Sequence, residues 1–139
     1  MAIRQLSVFL ENKKGQLSET VKLLAQSEIN IRALSIAEAR DFGILRLIVS
    51  DTDKAKEILS AETIVKTTAV IAVKMDDKEG ALYKVLQVFD EAGINVEYSY
   101  AFTTYYSGGA YVVFRVDDAA AAELLLTEKG FELISEVDV

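Results

Sequence analysis

No histidine, cysteine or tryptophan occurs anywhere in the chain, and each absence closes off some chemistry. Zinc and copper sites draw on His and Cys, so no such metal centre is expected, and no other cofactor is called for. A serine nucleophile would lack its usual imidazole base, and a cysteine nucleophile is impossible. Carboxylate or lysine chemistry stays open, yet no pair of carboxylates stands out from ordinary surface charge. Without cysteine there is no disulfide framework, and a reducing cytoplasm is the expected setting. No apolar run approaches the roughly 18–20 residues of a membrane span. The start MAIRQLSVFLENKKGQL has one early Arg and no long apolar core, so no secretory signal is expected. Basic residues number 15 against 22 acidic ones, the net charge is −7, and Lys and Arg nowhere cluster. Nucleic acid demands a basic face, so it is not an expected partner.

What is present is a plan used twice. ENKKGQLSETVKLLAQSEINI, Glu11–Ile31, returns 65 residues later as DDKEGALYKVLQVFDEAGINV, Asp76–Val96. At the same offset Leu6, Val8 and Leu10 fall on Ile71, Val73 and Met75, alternating as a strand with one buried face requires. Gly15/Gly80 and Leu17/Leu82 then open amphipathic segments. Leu82, Val85, Leu86 and Phe89 keep the i, i+3, i+4, i+7 spacing of one helical face, and Leu17, Val21 and Leu24 do so in the first copy. Gly93 suits a helix C-terminus, whereas its counterpart Glu28 implies a different ending. Strands are expected at GILRLIVS and AYVVFRVD, now 67 apart. Asp51, Thr52, Asp53, Asp117 and Asp118 are N-cap candidates for second helices. Those helices would carry Ala55, Ile58 and Leu59, or Ala121, Leu124 and Leu125. ETIVKTT and FELISEVDV would close the copies as last strands.

The order βαββαβ, twice, predicts an α+β protein of two ferredoxin-like units, 1–67 and 68–139. Each has an antiparallel four-stranded sheet with two helices on one face. TIVKTTAVIAVKM passes from one copy to the next without Gly or Pro. Units of roughly 65–70 residues are marginal alone, so they are expected to pack on each other, on a partner chain, or both.

A strand, a polar loop, Gly-x-Leu opening a helix, and Ile-Asn-Ile or Ile-Asn-Val about 13 residues on resemble the ACT domain. The resemblance covers nearly the whole chain as a tandem pair, and LSVFLENKKGQL is similar to the start of acetolactate synthase small regulatory subunits. It implies βαββαβ modules that bind amino acids or related small ligands, regulate metabolic enzymes or transcription, and pair side by side with ligands at domain interfaces.

The chemistry fits such a ligand. Unpaired N–H groups at a helix start form an anion site, and a glycine lets a ligand approach the backbone closely. The amides of Gln16 and Leu17, and of Ala81 and Leu82, are candidates for the carboxylate beside Gly15 and Gly80. Asn30 with Ile31, and Asn95 with Val96, begin the following strands, and their side-chain amides both donate and accept. Asn12, Asp76 and Asp77 stand on the loop before the glycine, where they can meet an ammonium. Each residue also has a plainer reading. The glycines can be turn residues, the asparagines loop residues, and Lys13, Lys14 and Lys78 solvated charges. The six tyrosines, all in the second copy (Tyr83, Tyr98, Tyr100, Tyr105, Tyr106 and Tyr111), suit strands, or line an interface or aromatic pocket. The expected function is amino-acid sensing that modulates a metabolic enzyme, in a homodimer, with a catalytic subunit of amino-acid metabolism as possible partner. Alternatives are the acetolactate synthase regulatory subunit responding to branched-chain amino acids, and a ligand-independent dimerisation module. An enzyme is the remaining class, and it ranks last.

Overall fold

A computed structural model describes residues 2–102 and 109–136. Ten elements follow in the order β1(Ile3–Glu11), α1(Gln16–Gln26), β2(Ile31–Glu38), β3(Phe42–Val49), α2(Thr52–Ser60), β4(Val65–Asp76), α3(Ala81–Ala92), β5(Val96–Phe102), β6(Gly109–Val116) and α4(Ala119–Glu128). The chain divides into two compact units: Arg4–Thr68, and Ala69 onward together with the first three residues. The protein is α+β.

In the N-terminal unit β3 lies antiparallel between β2 and β1, with Leu6 opposite Leu47 and Val8 opposite Leu45. The other edge of β1 meets the chain at Ile64, whose carbonyl accepts the Phe9 N–H at 3.1 Å. Leu6, Val8, Leu10, Leu45, Leu47 and Val49 share one sheet face and pack on Leu24 of α1 and on Ala55 and Leu59 of α2. Burying each of the larger aliphatic side chains stabilises the unit by roughly 1.5–3 kcal/mol.

The C-terminal unit repeats this scheme. β6 pairs with β4 and β5, and Ile71, Val73, Val112, Phe114 and Val116 face Val85, Val88 and Phe89 of α3 and Ala122 and Leu126 of α4. Phe89 meets Phe114 edge-on, ring centroids 5.2 Å apart. In both units the register slips by one residue near the start of the outer strand, between Ile31 and Ala33 and between Val96 and Tyr98.

Three local expectations are corrected. ETIVKTT does not end as a strand of its own; Val65 onward runs unbroken into the strand ending at Asp76. FELISEVDV forms an isolated bridge, Val73 to Leu133, with Lys74 N–H donating to the Glu132 carbonyl at 2.8 Å. Its last three residues lie outside the described ones, as do Tyr105 and Tyr106. In α4 the buried positions are Ala122 and Leu126, while Leu124 is 63% exposed. Among the proposed N-caps, Asp51 and Asp118 act, accepting the N–H of Lys54 and Ala121.

The two first helices end alike, against expectation. Gly93 has φ 69, and Glu28 adopts the same left-handed region at φ 58. Ile29 N–H reaches back to Leu24 O at 3.0 Å, and Ile94 N–H to Phe89 O at 2.9 Å, the six-residue bond of a Schellman ending. A side chain makes this conformation costly. Glu28→Gly is therefore expected to stabilise the N-terminal unit by about 0.5–1 kcal/mol, the strain relief less the entropy of a freer unfolded chain. A urea midpoint that does not rise would refute this.

Candidate functional site

At the end of β1 the chain makes a tight turn before α1. Asn12 N–H donates to Asp41 O at 2.9 Å, Lys13 N–H to Glu11 O at 3.0 Å, and Gln16 N–H to Lys13 O at 3.3 Å. Gly15 closes the turn at φ 86 and caps the helix without any side-chain hydrogen bond. The helical ladder starts with Glu19 N–H donating to Gly15 O. Among the described residues no partner is present for the N–H groups of Leu17 and Ser18. An adjoining cavity of about 390 Å³ is lined by Leu10, Glu11, Asn12, Lys13, Gln16, Leu17, Ile36, Glu38 and Gly43. Lys13 and Glu11 pair at 3.1 Å, both well exposed, an arrangement that contributes little. Leu17 is 38% exposed, so it belongs to the cavity wall and not to the core.

The second unit repeats three of these four bonds. Lys78 N–H donates to Asp76 O at 3.0 Å, Ala81 N–H to Lys78 O at 3.3 Å, and Lys84 N–H to Gly80 O at 3.1 Å. Gly80 has φ 82 and again no side-chain cap. A cavity of about 300 Å³ here is lined by Lys74, Met75, Asp76, Lys78, Ala81, Lys84, Gly130, Phe131 and Glu132. Asp77 and Leu82 sit in the same loop and first turn but do not line it, and Leu82 is 46% exposed.

The asparagines are elsewhere. Asn30 lies beyond the far end of an 11-residue helix from Gly15, and Asn95 beyond a 12-residue helix from Gly80. At the rise of an α-helix those lengths are about 16 and 18 Å, so neither pair can hold one amino acid inside a single unit. Asn30 instead ties the helix end to the sheet, its N–H donating to Ser50 Oγ while its carbonyl accepts from Ser50 N–H, both at 2.9 Å. Asn95 N–H donates to Asp117 Oδ1 at 3.3 Å. Ile31 and Val96 pair with Val49 and Val116 in the sheets. The structure thus brings together Asn12, Gly15, Gln16 and Leu17, and separately Asp76, Gly80 and Ala81. The amides of Gln16 and Ala81, expected to take a carboxylate, are already bonded to the Lys13 and Lys78 carbonyls, which leaves those of Leu17 and Ser18, and of Leu82 and Tyr83, as the candidates. The structure adds Ile36, Glu38 and Gly43 to the first group, and Lys74, Lys84, Phe131 and Glu132 to the second. Charge alone could have flagged one addition, since Lys84 stands where the first copy has Glu19.

A family model described as an ACT domain pair matches residues 1–139. The chain belongs to this family. Among solved structures, protein BT0572 from Bacteroides thetaiotaomicron shares 42% identity with this ACT domain pair, over 99% of this chain and 95% of that one, with a TM-score of 0.92. The ligand-free regulatory subunit of aspartate kinase from Thermus thermophilus is 16% identical, over 91% of this chain and 92% of that one, at a TM-score of 0.66. The corresponding subunit from Thermus flavus is 14% identical over 90% of each chain, at 0.61. Likeness at those lower identities is one of fold. No curated protein matches the ACT domain pair. No helix among the described residues is long and apolar enough to cross a membrane, and no group of three His, Cys, Asp or Glu among them could hold a metal ion.

Proposed function

We propose that this ACT domain pair binds a free amino acid or a related small acid and passes that state to a metabolic enzyme, without catalysis of its own. One observation carries the reading: the same glycine-closed turn, with three hydrogen bonds in common, is built twice, each time beside a cavity. Helix-start amides at the positive end of the macrodipole suit a carboxylate. Cavities of about 300 and 390 Å³ are at the small end of ligand pockets. The effector would act by linkage, shifting an equilibrium between arrangements only by its difference in affinity for them.

A thermal-shift screen over the amino acids and their 2-oxo acids at millimolar concentration tests this. The matching ligand is expected to stabilise the protein by about 2.7 kcal/mol at a hundredfold excess over Kd; no shift with any of them would overturn the reading. Leu34 and Ile36, each half-exposed on the outer strand β2, support self-association as a homodimer, which sedimentation of the same samples checks. An aspartate kinase or acetolactate synthase catalytic subunit is the partner class to add. The second follows from LSVFLENKKGQL, with branched-chain amino acids as effectors, and is excluded if mixing changes neither activity nor feedback inhibition. A stable dimer that ignores every ligand would instead establish a purely structural dimerisation module.

A further inference from the structure

The two copies share a turn but not its electrostatics. In each unit a cavity lies between the end of the first strand and the segment following the second helix. In the N-terminal unit that cavity is lined by Phe9, Leu10, Phe42 and Ile64 among others and carries Glu11 and Glu62, while the neighbouring effector cavity beside the Gly15 turn carries Glu11, Glu38 and Lys13. In the C-terminal unit it holds three lysines, Lys74, Lys78 and Lys84, against two carboxylates, Asp76 and Glu132. At equal offset Phe9 has become Lys74, and Glu19 has become Lys84. Local charge therefore turns from negative to positive in a protein whose net charge is −7.

Lys74 is partly buried and pairs with Glu132 at 3.2 Å. Lys78 and Lys84 have no ion-pair partner among the described residues. Lys84 also sits in the first turn of α3, where a cation opposes the helix dipole and Glu19 in the other copy favours it. Local helix stability does not account for that placement, whereas attraction of an anion into the cavity does. With Glu132 paired to Lys74, the ammonium groups of Lys78 and Lys84 share the space with one carboxylate, Asp76, and the net positive charge adds to the positive end of α3. Together they suit a dianion and repel the ammonium of a zwitterion.

We propose that the cavity beside the start of α3 binds a small dianion, a dicarboxylate or a phosphomonoester. The two copies thereby read different ligand classes. This rests on the reading of these cavities as effector sites.

Calorimetric titration of the full chain with succinate, glycerol phosphate and inorganic phosphate tests it, with glycine and glutamine as zwitterionic controls. Binding by succinate alone, or by the phosphates alone, supports the proposal and names the source. Affinity is expected to fall as salt rises from about 0.01 to 0.15 M, because the screening length shrinks from roughly 30 to 8 Å. Lys84→Glu is expected to weaken the dianion about tenfold or more, with Lys84→Gln intermediate. Thermal unfolding followed by circular dichroism should show Lys84→Glu melting no lower than the parent, since it restores the favourable dipole sign. Unchanged dianion affinity in Lys84→Glu, or no dianion heat while a neutral amino acid still binds, overturns the proposal and leaves the sensing function standing. If neither class binds, both fall.

Discussion

Phe89→Ala is expected to destabilise the C-terminal unit by roughly 3–5 kcal/mol, the range for deleting a large aromatic side chain from a close-packed core. Phe89 has no solvent exposure and lies among Val85, Val88, Val112, Phe114 and Leu126. Its ring meets Phe114 at 5.2 Å and 78°, a T-shaped contact that contributes about 0.5–1.5 kcal/mol beyond the area it buries. The surrounding strands and helices can close only part of the space left behind. Whole domains have only about 5–15 kcal/mol in hand, and units this small sit low in that range. Urea unfolding followed by circular dichroism should show a large drop in midpoint or loss of the folded baseline. Leu124→Ala on the exposed face of α4 is the control and should stay within about 0.5 kcal/mol. A Phe89→Ala loss below about 1 kcal/mol would mean that the described core is wrong.

Gly80→Val has a smaller effect on stability and a larger one on binding. With φ at +82, a β-branched residue there costs about 1–2 kcal/mol in backbone strain alone. A Cβ placed at Gly80 meets no atom within 4 Å, so crowding inside the protein adds nothing. The same open space is where a carboxylate would approach the amides of Leu82 and Tyr83. The variant should therefore stay folded and lose the ligand-induced rise in Tm. Gly15→Val, at φ +86 and equally uncrowded, should do the same for the N-terminal unit. If the urea midpoint falls but the ligand response survives in both, the glycines serve only the turn.

The strands and first helices could be read from the chain because their periods are clean. Leu6, Val8 and Leu10 alternate, and all three are buried. The face of α4 could not be read the same way, because AAAAELLL has a single polar residue, Glu123, and period alone selects no stripe. The 67-residue offset of the neighbouring strands would have chosen correctly, since it carries Ala55 and Leu59 onto Ala122 and Leu126. Glu28 misled because a left-handed ending normally demands glycine, yet the bond from Ile29 to Leu24 holds a glutamate there. The site was half legible. Local signals located Gly15, Gly80 and the loops before them. Treating the asparagines as their neighbours overlooked the length of the intervening helices. The remaining walls, Ile36 and Gly43 or Phe131 and Glu132, come from strands and segments far along the chain, and no local pattern announces them.

The one-residue slip near the start of β2 and of β5 also bears on behaviour at high concentration. A regular outer strand is a template on which foreign extended chains can stack, one after another, into filaments. Here the bulge interrupts the even spacing of backbone groups along the strand, and such an irregularity adds local twist. A newcomer could match only a short stretch before falling out of step, which guards a chain rich in β-branched residues against runaway polymerisation.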